Sequence, residues 1–162
     1  MKALQAGGYL TAIAALALAG LIAGCASTPE ATPARDAEAK RFATPHYPSA
    51  QPAKATLYIY RPDLDAEETI LWVNDRLIGA TLPRTFFRVE LAPGRHHITG
   101  LGYDNGQLTL ETVAGEQYFV ALRVTAGTSH FERVVPKLAK RVIAHCCGLM
   151  ENWTPGQRPL IR

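Results

Sequence analysis

The sequence carries little charge of one sign. Its 17 lysines and arginines face 14 aspartates and glutamates, a formal net charge of +3, so it has neither a nucleic-acid footprint nor the charge excess of a disordered chain. Nucleic acid is excluded as a partner, and 48% hydrophobic residues predict that the chain folds. A long hydrophobic run is also missing. The apolar and small-residue stretch at 9–23 spans about 15 residues, against the roughly 20 that a helix needs to cross a bilayer. The usual signs of hydrolysis are absent: no nucleophile elbow, no His-Glu-x-x-His helix and no paired carboxylates in a pocket-forming context. The expectation is a noncatalytic protein without a cofactor. Cysteine is scarce, with Cys25 alone in the first 145 residues and Cys146 and Cys147 adjacent near the end.

What is present begins with an address. Lys2, the apolar run and the small residue Gly24 form the three-part pattern of a secretory signal over 1–24. The junction Ile22-Ala23-Gly24-Cys25 resembles a bacterial lipobox, which implies diacylation of the Cys25 thiol, cleavage before it and acylation of the new amino group. Each buried methylene contributes about 0.8 kcal/mol, so several acyl chains such as palmitate hold a protein on a membrane where one does not. Ala26 and Ser27 follow the cysteine in place of aspartate. By the sorting rules of Gram-negative lipoproteins this implies the periplasmic face of the outer membrane.

Residues 25–53 read as a lipidated N-terminus and flexible tether. Pro29, Pro33, Pro45, Pro48 and Pro52 crowd a stretch otherwise made of Ala, Thr, Ser and a few charges, with no sustained apolar period. As a coil it would reach roughly 30 Å.

From residue 54 the pattern becomes short β-branched and aromatic runs between turn signals, the mark of antiparallel sheet. Strands are predicted at 56–60, 70–73, 77–80, 86–91, 95–102, 108–113, 118–124 and 130–135. Asn74-Asp75-Arg76 supplies a tight turn, because Asn and Asp tolerate left-handed conformations. Phe87, Val89 and Leu91 alternate with Arg88 and Glu90, as in a half-buried strand. Pro93-Gly94 gives another turn, and Asn105-Gly106 is the strongest hairpin signal. Tyr118, Val120, Leu122 and Val124 share one face. Pro136 is expected to open a helix over 137–145 whose apolar set Leu138, Val142 and Ile143 packs on the sheet. With no crossover helices between strands, the fold class is all-β: an antiparallel β-sandwich of about seven or eight strands over 54–145 with a short C-terminal helix, followed by a tail at 146–162.

Several strings in this region resemble, in order and spacing, the bacterial family DUF2846. They are Leu57-Tyr58-Ile59-Tyr60-Arg61-Pro62, Val73-Asn74-Asp75-Arg76-Leu77-Ile78-Gly79, Phe86-Phe87 and Leu91-Ala92-Pro93-Gly94-Arg95-His96. The likeness covers roughly residues 54 to 140. It implies a small envelope lipoprotein with a sandwich fold, and it brings no catalytic residues.

The candidate binding residues are Tyr58, Tyr60 and Arg61, where a guanidinium beside two tyrosines can clamp a carboxylate or sugar acid; the competing reading is an arginine that packs on tyrosine and bonds loop carbonyls. His96 and His97 are adjacent on a strand, point to opposite faces and cannot share a metal from that strand. The acidic loop Asp63, Asp65, Glu67 and Glu68 lacks the regular oxygen spacing of a calcium site. No metal is assigned. In an oxidising periplasm Cys146 and Cys147 are candidates for a disulfide, within or between chains, ahead of a thiolate metal site assisted by His145. The sequence thus predicts a lipid-anchored periplasmic β-sandwich that binds an envelope protein or glycan through exposed aromatics and Arg61, attached to the membrane through acylated Cys25. The alternative is a redox or metal-handling protein that uses the vicinal cysteines.

Overall fold

Alternation along the strands builds the fold. The computed structural model describes residues 30–44, 53–64, 67–101 and 106–152. In chain order these form α1 (Pro33–Lys40), β1 (Ala55–Arg61), β2 (Thr69–Val73), β3 (Arg76–Thr81), β4 (Thr85–Leu91), β5 (Gly94–Leu101), β6 (Gln107–Thr112), β7 (Gln117–Thr125), β8 (Thr128–Arg133), α2 (Pro136–Cys146) and β9 (Gly148–Met150). One sheet has the order β8-β7-β1-β4-β9 and the other β3-β2-β5-β6. The protein is an all-β sandwich with a short helix after its main strands. No helix among the described residues is long and apolar enough to cross a membrane.

The core between the sheets is the one that alternation predicts. Leu57, Ile59, Phe87, Val89, Leu91, Val120, Leu122 and Val124 from the first sheet meet Leu71, Val73, Ile78, Ile98 and Leu110 from the second. The β2–β3 hairpin turns at Asn74 and Asp75, both at positive φ (51° and 59°), as a type I′ turn demands; Arg76 already belongs to β3.

The first sheet differs from the expectation in its pairings. β1 runs antiparallel to β4 but parallel to β7, and β9 runs parallel to β4. β1 is buried along its whole length, because its second face is covered as well. Tyr58, Tyr60, Phe86, Phe119 and Ala121 form a second core there with Ala39 of α1 and with Ala139, Ile143, Cys147 and Leu149. The described residues therefore form three layers: helices, sheet, sheet.

The outer layer and the strand beside it change two boundaries and one packing face. The stretch read as a tether contains α1, opened by Pro33 at its first turn and supported by an Asp36–Lys40 pair at 2.9 Å one turn apart. Only Ala39 is buried along α1, too little apolar content for a periodic signal. The tail read from residue 146 begins with β9, whose three residues are too short for one. In α2 the packed residues are Ala139 and Ile143, with Val142 partly buried, while Leu138 is 50% exposed. The small Ala139 lets the helix approach the sheet, and that rotation turns Leu138 outward.

The pairing of 95–101 with 108–113 is present as the β5–β6 ladder, while the turn at 102–105 lies outside the described residues. Thr99 pairs with Gln107, and the Gly100 N–H donates to the Gly106 carbonyl at 3.0 Å, so Gly106 stands in the flank of the hairpin. Its need for glycine is steric: a Cβ there would lie 2.2 Å from the Ser129 carbonyl oxygen of β8. Asn105 lies outside the described residues, as do Cys25, Asp65 and the tail from residue 153.

Candidate functional site

Tyr58, Tyr60 and Arg61 do not form an exposed surface; they are 0%, 3% and 1% exposed. The tyrosines lie under the helices, and burial pushes both phenols above their ordinary range. For Tyr58 the Arg88 guanidinium opposes that rise and the Glu90 carboxylate adds to it; for Tyr60, Glu132 adds and Arg123 opposes. Arg61 is a structural tie. Its Nε donates to Asp63 Oδ1 at 2.7 Å, and its Nη1 donates to the carbonyls of Glu67 and, at 3.4 Å, Thr81. Asp63 Oδ2 accepts the Val124 N–H at 3.1 Å. This pair pins the β1–β2 loop to β7 and commits one carboxylate of the acidic loop.

The histidines serve the hairpins. His96 is buried, with Nδ1 2.7 Å from Asn74 Nδ2 and Nε2 2.8 Å from the Ala92 carbonyl oxygen, a pattern that fits the neutral ring with its proton on Nε2. Asn74 Oδ1 accepts the His97 N–H at 2.9 Å, so the turn residue is locked to the neighbouring strand by both ends of its amide. His97 is exposed beside Thr109. Among the described residues no group of three His, Cys, Asp or Glu could hold a metal ion. Cys146 and Cys147 are bonded to each other as a disulfide.

A concave feature lies elsewhere, at the edge of the first sheet. A cleft of about 640 Å³ opens between α1, the outer face of β4 and the residues of and after β9. Arg35, Glu38, Ala39, Ala43 and Thr44 line it from the N-terminal segment, Arg88 and Glu90 from β4, and Leu149, Met150, Glu151 and Asn152 from the other wall. The walls are tied together: Ala31 N–H donates to the Leu149 carbonyl at 3.0 Å, Leu149 N–H donates to Asp36 Oδ1 at 2.7 Å, and Arg35 pairs with Glu151.

The floor is a polar row. Arg88 and Glu90 stand opposite Tyr58 and Thr56 in the β1–β4 ladder, so the four side chains share one face. Arg88 Nη2 lies 3.3 Å from Glu90 Oε1, Thr56 Oγ1 donates to the Glu90 carboxylate at 3.3 Å, and Asn152 Nδ2 donates to the Arg88 carbonyl at 2.7 Å. Among the described residues, the buried side-chain polar atoms without a partner are Arg88 Nε and Asn152 Oδ1 of the cleft lining, Tyr58 Oη opposite Arg88 in the ladder, and Trp72 Nε1 in the other sheet. Such atoms are costly to bury unpaired, so the two in the cleft lining mark a place suited to a ligand with matching groups. Two guanidinium groups face three carboxylates, which suits an uncharged polar ligand.

Sequence reasoning missed this site for a definite reason. Arg88 and Glu90 read as the solvent face of a strand, Arg35 and Glu38 as tether, Glu151 and Asn152 as tail. The available signal was Pro33 followed by Asp36 and Lys40 one turn apart, together with the uninterrupted Leu57-Tyr58-Ile59-Tyr60 run, which implies cover on both faces.

Comparison with known proteins adds a relative but no family. The chain is similar to an uncharacterized protein of Haemophilus influenzae, 29% identical over 136 residues that span 80% of this chain and 78% of that protein. No family model matches the chain, and no solved structure matches it.

Proposed function

We propose that the protein is a noncatalytic binding module of the bacterial envelope, held at the periplasmic face of the outer membrane by acylated Cys25, and that its cleft takes a glycan. The observation that carries the reading is the cluster of unpaired polar atoms, Tyr58 Oη, Arg88 Nε and Asn152 Oδ1, beside a cleft of mixed charge. A sugar bearing hydroxyl and acetamido groups offers acceptors to Arg88 and donors to Asn152 without bringing charge. A protein partner is less well matched: interfaces between proteins anchor on exposed aromatics, and here Tyr58 and Tyr60 are buried. The lipobox-like junction supports the anchoring, and the likeness to DUF2846 supports an envelope lipoprotein without an assigned activity.

The test is calorimetric titration of the full-length, detergent-solubilised protein with a soluble tetramer of N-acetylglucosamine. Binding is expected, and Arg88→Met should weaken it by about tenfold or more, the scale of one lost hydrogen bond to a charged group. The exposed Lys137→Met should leave it unchanged. No heat with the tetramer, or equal affinity in the Arg88 variant, would remove the glycan reading, and binding of unglycosylated peptides alone would give the cleft to a protein partner. Mass spectrometry of the membrane form should show acylated Cys25 as the mature terminus; an unmodified terminus elsewhere would remove the anchor.

A further inference from the structure

The Cys146–Cys147 disulfide has a place in the fold that its chain topology does not explain. A disulfide stabilises mainly by closing a loop in the unfolded chain, and a bond between neighbours closes none. It also joins no two elements. It does fix the torsions of a single junction, where Cys146 ends α2 and Cys147 has turned to extended backbone at φ −123° and ψ 136°.

Directly after that junction the chain enters β9. Its three residues depend on their neighbours: β4 in parallel register from Thr85↔Gly148 to Phe87↔Met150, the Arg84 carbonyl that accepts the Gly148 N–H at 2.9 Å, and Asp36 and Ala31 on either side of Leu149. A strand this short has little stability of its own. Yet it and the two residues after it supply Leu149, Met150, Glu151 and Asn152, one whole wall of the cleft.

The two sulfurs differ in access. Cys147 is 2% exposed within the second core, while Cys146 is only partly buried. Cys147 Sγ lies 3.9 Å from the Arg61 carbonyl oxygen, so a thiol at Cys147 has an acceptor within reach.

We infer that Cys146–Cys147 is a thiol–disulfide exchange site whose reduction loosens β9 and with it the wall of the cleft. The co-reactant is a dithiol. One of its thiolates attacks Cys146 Sγ, the S–S bond breaks, and Cys147 leaves as a thiolate that takes up a proton. The second thiol of the dithiol then displaces Cys146, which is released and protonated, and the reductant ends as its own disulfide; two electrons and two protons have passed to the protein. With the ring opened, the torsions at the junction are free, and β9 is held by its few lateral bonds alone.

As regulation of the cleft this rests on the binding reading above, so the experiment has two separate readouts. Full-length protein is measured with and without dithiothreitol, by hydrogen exchange resolved to single amides and by titration with the N-acetylglucosamine tetramer. Reduction should add two alkylatable thiols, speed exchange at Gly148 and Leu149 by about tenfold or more, and leave the β1 amides protected. Tetramer affinity should fall in parallel. The Cys146→Ser, Cys147→Ser double variant should match the reduced protein; if it does not fold, the reduced wild-type protein decides. Unchanged exchange at Gly148 and Leu149 in protein shown to be reduced overturns the inference whether or not the tetramer binds. Faster exchange in a protein that never binds the tetramer supports the exchange site and counts against the glycan reading.

Discussion

The two cores of this molecule are built from opposite faces of the same strands, and they obey different rules. Between the sheets, Phe87, Val89 and Leu91 meet Leu71, Ile78 and Ile98 in an apolar interior. On the far side of β1 and β4, Tyr58, Phe86 and Phe119 are covered by helices while Arg88 and Glu90 of the same face line a cleft. The first core fills its space with aliphatic side chains. The second mixes aromatic packing with polar groups, of which Tyr58 Oη and Arg88 Nε are buried without a hydrogen-bond partner. The inner face specifies the sandwich, whereas the outer face is only partly filled and leaves a cleft beside its polar residues.

The strongest way to break the comparison is Phe87→Ala. Phe87 is 1% exposed at the centre of the inner core, and its truncation should cost about 3–5 kcal/mol in denaturant unfolding. A loss below about 1 kcal/mol would mean the inner core is not the main source of stability. Next comes the helical cover. Ile143→Ala should cost about 2–4 kcal/mol because Ile143 is fully buried. The neighbouring change Leu138→Ala should stay within about 0.5 kcal/mol, since half of that side chain faces solvent. Equal losses at both positions would show that α2 is rotated about its axis, with Leu138 turned toward the sheet.

The smallest effect concerns pH. Both buried tyrosines have phenols raised above the ordinary value of 10.0 by burial first of all. A raised folded value means the native state holds its proton more tightly than the unfolded chain. Their contribution to stability is therefore fully present below pH 10 and is lost as the pH rises through the folded values. Ultraviolet titration should show two tyrosines ionising above the ordinary range, together with a decline in stability above pH 10. If no tyrosine ionises late and no such decline is seen, the outer core is open to water.

Particular residues decide how much of this was legible. The alternation of Phe87, Val89 and Leu91, and of Val120, Leu122 and Val124, is a period that a strand must obey, so the sandwich could be read directly. Asn74-Asp75 could be read because two positive φ values are required there. The helix that covers the outer face could not, because α1 packs through the single small residue Ala39 and β9 has three residues. Strand period assigns Tyr58, Tyr60 and Arg61 a face without saying what lies on it, so it leaves open an exposed binding surface and an arginine that bonds loop carbonyls; the bonds of Arg61 to the Glu67 and Thr81 carbonyls match the second. Gly106 was recognised as special, but for turn geometry rather than for the approach of Ser129. The cleft is made of segments distant in sequence, Arg35 to Asn152, and no local pattern announces such a meeting.

The N-terminal segment bears on geometry at the membrane. Glu30 bridges Met150, and Ala31 bonds Leu149, so the chain is already fastened to the domain five positions after Cys25. A lipid attached at Cys25 would then have a leash of five residues, which spans at most about 18 Å even when fully extended. The cleft, whose walls include that fastening, would lie within reach of the lipid headgroups instead of deep in the periplasm. A glycan that meets it there must itself come down to the bilayer surface, which favours long polymers or chains rooted in the same membrane over freely diffusing sugars.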